Sequence, residues 1–287
     1  MKRCVAWMMA LVMVLALAGC GAKPTETPQQ EAQPEQEALP EQVTLTVFAA
    51  ASLQETVTEI VEMYKAVAPE VTVVCSFDSS GTLKTQIQEG AACDLFISAA
   101  PKQMNALDGS RDADHGNPDG LDFVRQGSRV DLLENKVALS VAEGRGAGIA
   151  SFDDLAAALR ESTVLLAMGN SDVPVGQYTQ KIFDYYGLNE EELAAAGCLT
   201  YGSNVKEVTS QVAEASVDCG IIYATDAFSA GLPITDTATA EMCGQVIYPA
   251  AVLQTSEHPE AAQAFLDYLR SEEAGAVFAG VGFTPLG

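Results

Sequence analysis

The sequence predicts an α/β protein with parallel β-sheet, and three observations carry that prediction. Short apolar runs rich in β-branched residues recur along the chain, at 43–48, 71–77, 94–98, 136–141, 163–168, 219–223 and 245–253. Most are followed within a few residues by apolar positions at helical spacing, such as Leu53, Val57, Ile60, Val61 and Tyr64 after the first run. Junctions between the two patterns are made of Ser, Gly, Thr, Asn and Pro, the residues that start helices. Strand and helix alternating at this length give layered α/β folds, whose ligands sit beyond the carboxyl ends of the strands. With 287 residues the chain has room for two lobes or one large domain.

Taken in order, the chain begins with Lys2 and Arg3 ahead of an apolar stretch, 4–18, too short for a comfortable membrane span. The stretch closes on Leu17-Ala18-Gly19-Cys20, which resembles a bacterial lipobox. That resemblance implies a signal peptide over 1–20, cleavage before Cys20 and lipid on the new N-terminal cysteine; an ordinary signal peptide is the alternative. Residues 21–42 are rich in Pro, Glu and Gln and nearly devoid of apolar side chains, so they read as a disordered tether. An anchor, a tether and a folded body together describe a protein working outside the cytoplasm, at the outer face of a membrane or in a periplasm.

The folded body starts with an alternating strand, Val43, Leu45 and Val47, that runs into Ser52 with Glu55 three positions on. This spacing predicts a capping box opening a helix. After the strand 71–77, Leu83 and Ile87 define a helix that Gly90 is suited to end. Residues 108–122 form a polar, Gly-rich excursion whose Asp112, Asp114, Asn117 and Asp119 lack the spacing and terminal Glu of a calcium loop, and they read as a solvated surface loop. The strand 136–141 opens a second series: helices begin at Ser151 and Asn204 and one spans 175–186, and strands lie at 163–168 and 219–223. The last strand, 245–253, precedes two helices, one over 259–269 and one reaching Phe278.

Composition narrows the chemistry. There are 39 acidic against 15 basic residues, and losing Lys2 and Arg3 with the signal segment leaves a net charge of −26. Nucleic acid and anionic membrane surfaces are therefore poor partners. An anionic ligand is still possible, provided local dipoles and hydrogen bonds hold it. Beyond Cys4 and Cys20, the five cysteines Cys75, Cys93, Cys198, Cys219 and Cys243 have no metal-ligand spacing and an odd number, so no disulfide framework and no bound metal cation are expected.

Five strand-to-helix junctions share one chemistry: 51–52, 79–82, 173–176, 202–206 and 223–226. Each offers hydroxyls or free backbone N–H groups at a helix start, and none supplies the Arg, His or carboxylate pair that catalysis would need. In combination with them, the stretches 47–53, 77–83, 92–99, 173–178, 220–223 and 265–283 are similar to the molybdate-binding proteins of molybdate ABC transporters, a type II periplasmic binding protein family. The resemblance runs from about Val43 to the C-terminus. It implies two lobes, the first made of 43–132 and 240–287 and the second of 133–239, with the ligand cleft between mixed, mostly parallel sheets. It also implies that the oxyanion is bound by Ser52 and Ser80 from the first lobe and by the backbone of Val175 and Val205 and the phenol of Tyr223 from the second. The family commonly has a serine where this chain has Gly81, so no side-chain role is carried over there.

A fully deprotonated tetrahedral dianion wants donors only, which agrees with that set; a carboxylate in the site would repel it and favour a protonated oxyanion. The resemblance further implies molybdate or tungstate as ligand, no cofactor, a monomer, and delivery to an ABC permease driven by a cytoplasmic ATPase. Sulfate, phosphate or another small anion on the same fold is the alternative. A serine hydrolase using Ser52 or Ser80 would need a base, and the only histidines, His115 and His258, lie in a polar loop and ahead of Pro259.

Overall fold

Residues 42–287 are described by the computed structural model of the protein; the expected signal segment, Cys20 and the expected tether up to residue 41 lie outside the described residues. In chain order the elements are β1 (Val43–Ala50), α1 (Gln54–Tyr64), β2 (Val71–Asp78), α2 (Ser80–Gln88), β3 (Leu95–Ile97), α3 (Pro101–Asn105), β4 (Val130–Asn135), β5 (Val137–Val141), α4 (Phe152–Arg160), β6 (Leu166–Gly169) and α5 (Pro174–Tyr186). There follow α6 (Glu190–Ala195), β7 (Leu199–Gly202), α7 (Val205–Ala213), β8 (Cys219–Tyr223), α8 (Ala224–Ser229), β9 (Asp236–Thr237), α9 (Ala240–Cys243), β10 (Val246–Val252), α10 (Pro259–Leu269), α11 (Glu272–Gly280) and β11 (Thr284–Pro285).

The strands form two sheets, one per lobe. The first has the order β11-β4-β10-β3-β1-β2 and the second β7-β6-β8-β5-β9. Each is built on three parallel strands, β2, β1 and β3 in one and β7, β6 and β8 in the other. Antiparallel strands are added on one side of each: β10, β4 and β11 to the first sheet, β5 and β9 to the second. The chain leaves the first sheet between Asn135 and Val137 and returns between Thr237 and Val246. Two crossings of this kind are what a hinge requires, because few residues must change conformation for the lobes to move.

The helices follow their apolar stripes. On α1, Val57, Ile60, Val61 and Tyr64 are buried, and Tyr64 packs its ring at a tilt against Phe265 and Tyr268 at centroid distances of 4.9 and 5.0 Å. Fully burying each aliphatic side chain of this kind stabilises the fold by about 1.5–3 kcal/mol. Three helix starts carry the expected caps: the side chains of Ser79, Ser151 and Asn204 accept the N–H of Thr82, Asp154 and Glu207. Gly90, with φ of +91°, follows the end of α2 in a backbone region that glycine tolerates.

Two expectations are corrected. Ser52 does not open a capping box: residues Ala51–Leu53 form a 3-10 turn, Ser52 makes no cap, and α1 starts two residues later. Both partners are drawn elsewhere, the Ser52 hydroxyl to Tyr248 and the Glu55 carboxylate to Lys206. The excursion at 108–122 is only partly solvated. Asp108 and Asn117 are buried within it; Asp108 accepts from Ser110 and Arg129, and Asn117 donates to the carbonyls of Asp108 and Leu121. These bonds pin the loop at both ends. The five cysteines of the body are free thiols, and burial pushes those of Cys93 and Cys219 up to about 12, which makes them inert at neutral pH. No helix among the described residues is long and apolar enough to cross a membrane.

Candidate functional site

Ser52, Ser80, Val175, Val205 and Tyr223 line one cavity, together with Asp78 and other residues of both lobes. The elements explain the convergence. Ser52 follows β1 and Ser80 opens α2 after β2, so both sit at the carboxyl ends of neighbouring parallel strands. Val175 is in the first turn of α5 after β6, Val205 opens α7 after β7, and Tyr223 ends β8, so the second parallel sheet presents the same kind of edge. Two such edges face each other across the cavity.

The three hydroxyls differ in how their hydrogen-bond partners constrain them. The Asn135 side-chain oxygen accepts the Lys136 N–H at 2.8 Å, which fixes the amide orientation. Its Nδ2 then donates to Thr225 Oγ1 at 2.9 Å and to the Tyr248 hydroxyl at 3.1 Å. Tyr248 is fully buried and has Ser52 Oγ as its other neighbour, at 2.9 Å. Tyr248 accepts from Asn135, and in its contact with Ser52 either hydroxyl can be the donor; when Tyr248 donates, the Ser52 proton is left to point into the cavity. Ser80 Oγ accepts the Ala99 N–H at 2.9 Å and is likewise left with a free proton. The buried Tyr223 hydroxyl has no partner among the described residues, and burial, followed by the neighbouring Tyr248, pushes its pKa well above the ordinary tyrosine value. It therefore stays protonated and available to donate.

Backbone donors complete the set. Helix α5 starts with Val173 as a cap residue that offers no side-chain acceptor, which leaves the N–H groups of its first turn unsatisfied by any cap. Gly176 sits there because a Cβ would lie 2.2 Å from the Gly169 carbonyl oxygen. In α7, Asn204 Oδ1 accepts the Glu207 N–H at 3.1 Å and leaves the Val205 N–H uncommitted to the cap. Dipoles of both helices present their positive ends at these turns.

No Arg, Lys or His is among the described residues lining the cavity. One carboxylate is: Asp78, whose Oδ1 accepts the Ser79 N–H at 2.7 Å. This departs from the donor-only lining expected of these turns. His115 is exposed and paired with Asp112, and neither it nor His258 reaches the cavity, so neither serves as a base for Ser52 or Ser80. Among the described residues no cluster of His, Cys, Asp and Glu could hold a metal cation.

Gly81 explains itself once the lobes are in view. A Cβ at this position would meet the Asp172 carbonyl oxygen of the other lobe at 2.2 Å, so the residue is where the two edges touch backbone to backbone. Sequence reasoning missed Tyr248, Asn135 and Asp78. Tyr248 stood in a strand pattern and Asn135 before one, and neither position carries a local signal of a hydrogen bond to a residue more than a hundred positions away.

Two α/β lobes with a cavity at facing sheet edges are the architecture of the type II periplasmic binding protein fold. The chain belongs to the family of bacterial extracellular solute-binding proteins, whose description matches residues 45–284. It is similar to YvgL of Bacillus subtilis (strain 168), whose name provisionally designates an ABC transporter substrate-binding lipoprotein: 31% identical over 96% of this chain and 95% of that one. It is also 31% identical to the molybdate-binding protein ModA of Escherichia coli (strain K12), over 84% of this chain and 88% of the relative. Among solved structures, the periplasmic molybdate-binding protein of Azotobacter vinelandii superposes with a TM-score of 0.68 at 21% identity, covering 84% of this chain and 98% of that one. The sulfate-binding protein SubI of Mycobacterium tuberculosis H37Rv superposes with a TM-score of 0.65 at 20% identity, over 85% and 87% of the two chains. At such identities the superpositions speak for the fold.

Proposed function

We propose that this protein is an extracytoplasmic receptor for molybdate, and for tungstate, that passes its ligand to an ABC permease. In this reading Ser52, Ser80 and Tyr223 donate their hydroxyl protons to the oxyanion, the N–H groups of Val175 and Val205 donate from helix starts, and the lobes close over it. The observation that carries the proposal is the polarity of two hydroxyls: Ser80 already accepts from the Ala99 N–H and Tyr223 lacks any partner among the described residues, so both are available to the cavity as donors. Such a lining suits an acceptor-only dianion. Hydrogen bonds to a charged ligand are stronger than neutral ones, so no countercharge is needed. ModA of E. coli, named for molybdate binding, supports the choice of ligand. Molybdate and sulfate share charge and shape, so discrimination between them rests on the dimensions of the closed cavity.

The receptor works without a cofactor and as a monomer, held to the membrane by lipid on Cys20; YvgL, named as a lipoprotein, supports the anchor. Asp78 favours a second reading on the same fold, a singly protonated oxyanion such as hydrogen phosphate, whose O–H a carboxylate would accept. Equilibrium dialysis against molybdate, followed by elemental analysis, separates the two. One molybdenum per chain, retained in excess sulfate and phosphate, is the expected result. Displacement by phosphate would replace the first reading by the second.

A further inference from the structure

Lys206 lies directly after the ligand-site residue Val205 and is gripped from both lobes. Its ammonium donates to Glu55 Oε1 and Oε2 at 2.9 and 2.8 Å and stands 3.2 Å from Asp226 Oδ1. Glu55 belongs to α1 of the first lobe, three residues after Ser52; Asp226 belongs to α8 of the second, three residues after Tyr223. Among the described residues this is the only ion pair that joins the two lobes. We propose that Lys206 is the positioning residue of cleft closure: it draws Glu55 of one lobe onto a charge that Asp226 has already fixed in the other, and so governs how long a bound oxyanion is held.

The asymmetry of the cluster supports this. Asp226 is wholly buried, and neither of its oxygens has a hydrogen-bond partner among the described residues, so its charge depends on Lys206 whether the lobes are open or closed. Lys206 is thereby held in place within its own lobe, and its side chain is only 27% exposed. Glu55, half-exposed, is the member that opening would separate. An exposed pair is usually weak because two long side chains must be ordered to form it. Here one of the two is ordered beforehand, and the pairing consumes the carboxylate that the Ser52-to-Glu55 spacing would otherwise direct to the start of its own helix. Burial works against the charge on Lys206, yet the carboxylates of Asp226 and Glu55 outweigh it and hold its pKa above the usual lysine value. The three first turns that carry Ser52, Val205 and Tyr223 are in this way tied to one ammonium.

The role of Lys206 in ligand release rests on the receptor reading, whereas its role in closure does not, and the test separates them. Glu55→Gln removes the negative charge across the cleft, leaving only a neutral amide oxygen as acceptor, while the buried Lys206–Asp226 pair stays intact, so the fold is not at stake. Dissociation of molybdate, followed by isotope chase, should be about 5-fold faster in Glu55→Gln, the span expected for such a pair. Raising salt from roughly 50 to 500 mM should speed release from the unaltered protein and not from the variant. Lys206→Arg should retain slow release. Small-angle scattering of the ligand-free protein should show Glu55→Gln to be less compact than the parent at low salt and indistinguishable from it at high salt. If the parent holds no molybdate, the receptor reading fails and the scattering comparison alone decides. Equal compactness and an equal response to salt in Glu55→Gln and its parent would overturn the proposal.

Discussion

Two regions of this protein could be mistaken for each other's function. In the first lobe, Arg111, Arg125 and Arg129 line a groove of about 510 Å³, in a chain where positive charge is scarce. The cavity between the lobes is far smaller and is lined by no Arg, Lys or His among the described residues. Charge alone would assign an anion to the groove. The arginines there are already engaged, however: Arg129 donates to Asp108 at 2.7 Å and to Asn105 at 2.6 Å, Arg111 lies 4.0 Å from Asp108, and Arg125 lies 3.5 Å from Glu260. Their guanidinium groups serve the loop at 108–122 and its surroundings. In the cavity, by contrast, neutral donors are left without acceptors. On the proposed reading, unspent donor capacity marks the site better than formal charge does.

The comparison can be broken most forcefully at Gly81. Gly81→Ala would drive a Cβ against the Asp172 carbonyl oxygen and keep the lobes apart, lowering molybdate affinity roughly 10–100-fold by the usual cost of overpacking. Calorimetry would show the loss, and an unchanged affinity would mean the lobes need not touch there. Next comes Tyr223→Phe, which deletes one donor without altering the packing of the ring. The expected loss is about 10-fold or more, the worth of a hydrogen bond to a charged group, with thermal stability retained. Asp78→Asn should act in the opposite direction and tighten dianion binding about 2–5-fold by removing a repelling carboxylate. In the groove, Arg111→Gln and Arg125→Gln should leave molybdate affinity within about 2-fold, as expected for exposed charges at a distance.

A pH experiment sharpens the account of the buried cluster. Burial raises the Asp226 carboxyl to about 6 against an ordinary value of 3.8, although Lys206 pulls it the other way. The folded state therefore keeps this proton longer than the unfolded state does. Its contribution to stability is complete below the ordinary carboxylate value and is lost as pH rises through about 6. Denaturant titrations between pH 4 and 7 should show that loss in the parent, and Asp226→Asn should remove it.

Much of the fold was legible in the sequence because the parallel core of each sheet is local in its signals. Runs such as 43–48 and 219–223 are apolar, short and followed by helix starts, and the structure has β1 and β8 there. The antiparallel additions were harder. Strand β4 pairs with β10 more than a hundred residues away, and β9 and β11 span two residues each, too few for any period to register. Helix α6 and strand β7 went unread because 187–202 mixes Glu, Ala and Gly without a clear apolar stripe.

At the cavity, the donors at strand ends were legible as residue types, and their meeting was a property of the topology. The capping box misled because the local partner of Glu55 lost to an ammonium 151 residues distant. Whether a hydroxyl donates or accepts is likewise set from afar. Nothing near Ser52 in the chain announces that Tyr248, itself held by Asn135, shares a hydrogen bond with it.

The central claim is that neutral donors, not the arginines, bind a fully deprotonated oxyanion. Calorimetric titration of the protein with molybdate in the presence of excess sulfate tests it most directly, repeated on Tyr223→Phe and on the Arg111→Gln, Arg125→Gln double variant. The account predicts tight one-to-one binding that sulfate does not displace, weakened in the tyrosine variant and retained in the arginine variant. Absence of heat with molybdate, or binding that disappears with the two arginines and survives the loss of the phenol, would contradict it.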